Sequence, residues 1–236
     1  MSTAATIRAP TAAVHRLWRL ALRLRFLLFQ RGRHDALVLE EVAGRQIVVL
    51  PGVFNPKLFW TGELLARLLD ERLVPPASSV LDLGTGTGIG AIAAAQWARC
   101  VVAVDVNPAA ERCARINVLL NGCEERVEVR GGDLFEPVVG ETFDVVVFNP
   151  PYYGGSPVTA LDRAFRASDV PERFAASLGR HLNPGGHALV LLSSRGESTA
   201  FLECLREAGF TVDGVAEERR VGEVLTLYRA RRGDGC

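Results

Sequence analysis

The stretch from Val80 to Trp97 leaves few architectures open. Val80-Leu81-Asp82-Leu83 is a short apolar run that reads as a buried strand. Gly84-Thr85-Gly86-Thr87-Gly88 follows, and Ile89 to Trp97 reads as a helix. Glycines between a strand and a helix let a ligand approach the backbone closely. The spacing differs from the dinucleotide fingerprint G-x-G-x-x-G, because position 89 is Ile and the third glycine is at 88. Asp82, inside the strand, is costly to bury unless it is hydrogen-bonded. Val101 to Val104 is a second strand ending in Asp105, with Val106 after it. An acid at that strand end, about 20 residues past the glycines, is placed to bind ribose hydroxyls. Asn107-Pro108 opens a helix to about Leu120. A third strand, Arg126 to Arg130, runs into Gly131-Gly132-Asp133-Leu134. Asp133 can accept an N–H from an adenine amino group, with Leu134 and Ile89 as apolar walls.

A fourth strand carries the chemistry. Asp144 to Phe148 is apolar and rich in β-branched residues, and it stops at Asn149-Pro150-Pro151-Tyr152. Neither proline has an N–H, so neither extends the ladder. Asn149 precedes a proline and is pushed into an extended conformation. The corner lies at the carboxyl end of a strand, where open α/β sheets place their chemistry. A planar NH2 is a poor nucleophile because its lone pair is delocalised. The Asn149 side-chain oxygen and the Pro150 carbonyl can each accept one of its N–H groups, and Tyr152 can pack against the flat group. Such a corner aligns the nitrogen and stabilises the charge that develops as it attacks an electrophile.

Charge is uneven along the chain. Residues 1–35 hold seven arginines and one acid, a net +6, and the remaining residues hold 20 basic and 26 acidic side chains, a net −6. The main body therefore has no overall basic bias of the kind that favours nucleic acid. Ser2 to Pro10 reads as disordered. Ala12 to Gln30 reads as a helix, apolar at Val14, Leu17, Trp18, Ala21, Leu24 and Leu28, with arginines interspersed. It can dock on the main body with its arginines in water. A membrane surface, an organellar presequence or an acidic partner are the alternatives. It is too short and too interrupted by Arg to span a bilayer. The five cysteines include no C-x-x-C pair, so neither a disulfide framework nor a metal site is expected, and reduced thiols in the cytoplasm are the default.

The remaining elements complete an alternating pattern. Ala36 to Val42 and Arg45 to Leu50 read as a hairpin across Ala43-Gly44. Pro51 to Trp60 reads as a loop, and Thr61 caps a helix through Leu73 with Glu63 in its first turn. Tyr153 to Val170 reads as a long loop that serves as a substrate lid. A helix from Pro171 to Leu182, a turn at Asn183-Pro184-Gly185-Gly186, a strand from His187 to Ser193 and a helix from Glu197 to Ala208 follow. Phe210 to Val215 and Glu223 to Arg229 are paired terminal strands. Two regions are expected: an extension of Arg-rich helix and hairpin over residues 1–52, and a domain over residues 53–236.

This order, with VLDLGTGTG, VVAVDVNP, GDLF and FNPPY, resembles the class I S-adenosylmethionine-dependent methyltransferases over about Phe54 to Arg229. The resemblance implies a Rossmann-like α/β fold with a seven-stranded, mostly parallel sheet and helices on both faces. Within that superfamily the NPPY motif marks nitrogen methyltransferases. FNPKLFWTGELLARLL looks most like the entry loop and Thr-led helix of the glutamine-N5 protein methyltransferases that modify translation release factors. Trp60 stands where those enzymes usually carry an acid, and their long N-terminal recognition bundle is replaced by one helix and a hairpin. By resemblance, Gly84, Gly86 and Gly88 approach the methionine part of S-adenosylmethionine. Asp105 takes the ribose hydroxyls, and Asp133 and Leu134 the adenine. Thr61, Asp82, Thr85, Ile89 and Val106 join that cofactor site, and Asn149, Pro150, Pro151 and Tyr152 form the catalytic corner. The expected activity is methyl transfer to a protein glutamine. Adenine N6 or guanine N2 of a nucleic acid, or a small-molecule nitrogen, are the alternatives.

Overall fold

The computed structural model describes residues 36–150, 169–196 and 198–233. The helix read over Ala12 to Gln30, the Pro151-Tyr152 half of the corner and nearly all of the loop that begins at Tyr153 lie outside the described residues.

The first elements are β1 (Val38–Val42) and β2 (Arg45–Val49), an antiparallel hairpin in which Val42 faces Arg45. Ala43 and Gly44 turn it with φ of 50° and 75°, the left-handed pair that a two-residue hairpin needs. A short helix α1 (Pro56–Phe59) then leads into α2 (Thr61–Leu68). The alternating pattern follows: β3 (Ser79–Leu83), α3 (Ile89–Ala94), β4 (Cys100–Asp105), α4 (Pro108–Leu120), β5 (Val127–Gly131) and β6 (Phe143–Phe148). After it come α5 (Val170–Leu178), β7 (Leu182–Ser193), α6 (Ser198–Glu207), β8 (Phe210–Arg220) and β9 (Glu223–Arg232).

Seven strands form one sheet in the order β5-β4-β3-β6-β7-β9-β8. The first five are parallel, and β9 runs antiparallel between β7 and β8. Successive side chains on a strand point to opposite faces, so each strand feeds two apolar layers. Val80, Val101, Val145 and Val147 face the layer covered by the hairpin, α2, α3 and α4. Leu81, Val102, Val146 and Phe148 face the layer of α5 and α6, where Phe174, Leu178, Phe201 and Leu205 are packed. The sequence of helix and strand thus folds into the Rossmann-like arrangement, with helices on both faces.

The hairpin is fastened to this body by α4. The fully buried Asn117 accepts the Val48 N–H at 2.8 Å and donates to the Val48 carbonyl at 2.7 Å and the Thr87 carbonyl at 2.9 Å. Val42, Ile47 and Val49 join the same buried cluster as α3 and α4.

Several boundaries depart from the periodic reading, each for a local reason. The helix expected through Leu73 stops at Leu68, because Asp70 draws the Arg72 and Leu73 N–H groups onto its own side chain. The helix expected through Trp97 stops at Ala94. Beyond it the Gln96 and Trp97 N–H groups bond three residues back, to Ala93 and Ala94, in tight turns. The helix expected from Pro171 to Leu182 is α5, which ends four residues earlier at Leu178. Asn183-Pro184-Gly185-Gly186 is no separate turn but part of β7, where the register against β6 shifts between Phe143 and Val145. A Cβ on Gly186 would lie 3.0 Å from the Phe143 and Asp144 carbonyls, so only glycine lets the strands approach there. β8 continues past Val215 to Arg220 through an irregularity between Gly214 and Ala216. The expected loop before Trp60 contains α1, capped by Asn55, whose side chain accepts the Lys57 and Leu58 N–H groups.

Candidate functional site

The carboxyl ends of β3, β4 and β6 are adjacent, because β3 lies between the other two. The turn after β3 is built on Asp82. Its side chain is 3% exposed and accepts the Thr85 hydroxyl at 2.6 Å. The first turn of α3 sits directly above it, where a Cβ on Gly90 would fall 3.0 Å from both carboxylate oxygens. Burial raises the Asp82 carboxyl to about 7, against the lowering effect of the Thr85 and Ala91 hydrogen bonds.

Gly84, Gly86 and Gly88 have φ of 60°, 57° and 83°. Only Gly86 presents an open face, where an added Cβ would meet nothing nearer than a carbonyl oxygen at 4.0 Å. At Gly88 an added Cβ would press within 3.2 Å of Ala114, so that glycine serves helix packing instead. Asp105 is fixed at the end of β4 by two backbone donors, Gly86 N–H to Oδ2 at 2.8 Å and Asn107 N–H to Oδ1 at 2.9 Å. Burial pushes its carboxyl up, and the two N–H groups oppose that shift. Each oxygen has a second lone pair, so the group can serve a pair of hydroxyls.

The corner after β6 meets α2. The Asn149 Nδ2 donates to the Thr61 hydroxyl at 3.2 Å, across 88 residues of sequence. Thr61 is buried and begins α2 directly after Trp60, which holds a left-handed φ of 69°. The guanidinium of Arg220 lies 3.7 Å above the Trp60 ring. The amide nitrogen is turned toward Thr61, and its oxygen lies on the opposite side of the group. Pro150 is buried beside it; Pro151 and Tyr152 fall outside the described residues.

The other expected residues are placed less simply. Asp133 pairs with Arg173 of α5 at 2.7 Å, so one of its oxygens is already engaged. Leu134 takes a left-handed φ of 48° and packs on the second apolar layer. Ile89 is buried in the first layer, close to Gly62 of α2. Val106 is 42% exposed just beyond Asp105.

Two relevant residues were not legible in sequence. Arg173 lies 40 residues from Asp133, and no local pattern connects them. Thr87, inside the glycine turn, has a buried hydroxyl with no hydrogen-bond partner among the described residues. An orphaned buried hydroxyl and an open glycine on one turn, with a fixed carboxylate beside them at the end of β4, fit a ligand with hydroxyl and charged groups. A separate groove of about 940 Å³, lined by Ser79, Arg99, Arg126, Asp144 and Asn183, opens at the amino ends of the strands, away from Asn149.

Comparison with known proteins bears on the family and the fold. The model of the methyltransferase small domain matches residues 44–219. A protein of Methanocaldococcus jannaschii, named provisionally as a protein N5-glutamine methyltransferase, is 32% identical over 201 residues, 81% of this chain and 98% of that one. The ribosomal RNA small subunit methyltransferase C of Alcanivorax borkumensis is 31% identical over 191 residues, covering 80% of this chain but only 53% of that protein. The crystal structure of a methyltransferase from Pyrococcus furiosus superposes with a TM-score of 0.61 at 20% identity, over 92% of this chain and 98% of that one.

Proposed function

Because the chain belongs to the methyltransferase small domain family, we propose that it transfers a methyl group from S-adenosylmethionine to the side-chain amide nitrogen of a glutamine in a protein substrate. S-Adenosylmethionine supplies a methyl group on a sulfonium, an electrophile strong enough that the protein need only align the acceptor. The observation that carries the reading is the Asn149–Thr61 bond, which holds an amide in a fixed orientation at the end of β6. With its nitrogen given to Thr61, the Asn149 oxygen accepts one N–H of the acceptor amide, and the Pro150 carbonyl accepts the other. Both contacts strengthen as positive charge develops on the nitrogen. Asp105 holds the ribose hydroxyls of the cofactor, and Gly84, Thr85 and Gly86 lie along its methionine part. Thr87 supplies a hydroxyl to the same ligand. Asp133 and Leu134 flank the adenine, with Asp133 sharing its carboxylate between the ring amino group and Arg173. Pro151 and Tyr152 complete the corner, Tyr152 by packing on the acceptor. The relative named as an N5-glutamine methyltransferase supports this acceptor.

A second reading is favoured by the relative that acts on ribosomal RNA. The same corner serves an amino group on a flipped base, with Tyr152 stacking on the ring. The +6 charge of residues 1–35 then supplies phosphate contacts. Methyl transfer from labelled S-adenosylmethionine into a lysate of the source cell separates the two. Wild type is compared with Asn149→Ala, and the product is split with protease and nuclease. Protease-sensitive label that the variant fails to deposit is the expected result. Nuclease-sensitive label overturns the first reading in favour of the second, and label confined to small molecules overturns both.

A further inference from the structure

Three carboxylates belong to the expected cofactor residues: Asp82, Asp105 and Asp133. Among the described residues the first two are held by neutral donors, the Thr85 hydroxyl for Asp82 and the Gly86 and Asn107 N–H groups for Asp105. Asp133 is held by a charged one, the guanidinium of Arg173, whose Nη2 donates to Oδ2 at 2.7 Å. The turn that carries Asp133 leaves its backbone little freedom. The Gly132 N–H donates to the Asp105 carbonyl at 3.0 Å, and the Asp133 carbonyl accepts the Glu136 N–H at 3.0 Å. A Cβ on Gly132 would lie 2.3 Å from the Pro137 ring. What stays open is rotation of the carboxylate itself, since the last bond of an aspartate side chain turns broadly. Arg173 removes that freedom. Its Nη1 donates to Asp169 Oδ2 at 3.3 Å, and its backbone N–H to the Asp169 carbonyl at 3.1 Å. The planar guanidinium is therefore bracketed by two carboxylates. The next residue, Phe174, is fully buried, with its ring 5.7 Å from that of Phe135 and 5.0 Å from that of Phe148. Phe135 follows Leu134 and Phe148 precedes Asn149, so α5 packs on the same segments that place the site.

On the reading of Asp133 as the partner of adenine, we infer that Arg173 is a positioning residue for the base: by taking Oδ2 of Asp133 it holds Oδ1 as the acceptor for the exocyclic amino group, and so sets the preference of the site for an amino-bearing purine. The groups match in number. Among the described residues Oδ1 has no donor, and the amino group offers neutral N–H donors to fill it. They also match in charge. A base lying over Asp133 takes water from the carboxylate, and an anion covered in this way is costly unless it is paired. Arg173 keeps it paired while one oxygen remains for the base. Stability is a poor explanation of the pair. Its side chains are 41% and 36% exposed, and ion pairs that open to water contribute little to folding. Removing Arg173 should therefore change selectivity far more than stability.

The test is calorimetric binding of two ligands to the full chain: S-adenosylhomocysteine, and its analogue with purine in place of adenine, which lacks only the amino group. Wild type should prefer the first by about tenfold or more, the usual effect of one hydrogen bond to a charged group. Asp133→Ala should abolish the preference. Arg173→Met should reduce it to about threefold or less, chiefly by weakening S-adenosylhomocysteine, because the carboxylate is no longer oriented. The Tm of the unliganded Arg173→Met chain should move by no more than about 4 °C. A preference kept in Arg173→Met but lost in Asp133→Ala overturns the role of Arg173 and leaves the reading of Asp133 standing. Equal weakening of both ligands in Arg173→Met also overturns it, since that is the mark of a merely structural pair. No preference in wild type overturns the reading of Asp133, and the role of Arg173 with it.

Discussion

Asn149 is placed by two constraints of different kinds. The proline after it favours an extended backbone, and the hydroxyl of Thr61 anchors the nitrogen end of its amide. Truncating it to Ala should lower turnover by about a hundredfold or more, the usual effect of removing a group that stabilises developing charge. Cofactor binding, measured by calorimetry, should change little. Thr61→Val keeps the shape and removes the acceptor for the Asn149 amide, so a smaller loss of turnover in the same direction is expected. An unchanged rate in Thr61→Val would mean that the orientation of Asn149 is set elsewhere. Asp82 gives a second prediction. Its carboxyl is raised to about 7 by burial, above the value of about 4 it has in an unfolded chain. The folded state therefore binds this proton more tightly. The stability contributed is full below about pH 4 and is lost as pH rises through about 7. Denaturant unfolding at a series of pH values should show wild type losing stability across that window relative to Asp82→Asn. Parallel curves would count against it.

At the scale of elements, the glycine turn, the helix opened by Asn107-Pro108 and the strand before Asn149 were all legible, because each is written in local residues. Glycines permit positive φ, Asn-Pro starts a helix, and an apolar β-branched run makes a buried strand. What stayed hidden depended on partners distant in sequence or on side chains competing for backbone groups. Asp70 ends α2 in this way, and Asn183-Pro184-Gly185-Gly186 becomes strand only because the backbone of β6 is beside it. The role of Asn117 was equally hidden, although a polar residue on the inner face of an amphipathic helix is an available signal. Asn117→Ala should leave the Val48 and Thr87 groups without partners and cost about 2–4 kcal/mol. That is a fall in Tm of about 5–15 °C for a domain of this size. Gly62 supplies a test of packing. A Cβ there would sit 2.6 Å from the Pro56 side chain, so Gly62→Ala should separate α1 from α2 and lower both Tm and turnover, through Thr61.

At the scale of the whole molecule, no helix among the described residues is long and apolar enough to cross a membrane. Strand β8 is tied back to Trp60 and α2, beside the candidate site. Arg220 stacks on Trp60, Glu218 joins Arg220, and Arg67 of α2 bonds Glu218 at 2.5 Å. A double-mutant cycle on Trp60 and Arg220 should return a coupling of about 0.5–1 kcal/mol, the range for a partly exposed cation–π pair. Zero coupling would make the stacking incidental. The strand order has a consequence for how the chain is made. β9 follows β8 in the chain and so leaves the ribosome after it, yet β9 occupies an interior position between β7 and β8. Until residues 223–232 emerge, the outer rim of β7 offers an open ladder of donors and acceptors, and β8 has nothing to join. Every nascent chain therefore passes through a sticky interval between the emergence of β8 and that of β9, and a message cut short after Arg220 would release that interval as a permanent product.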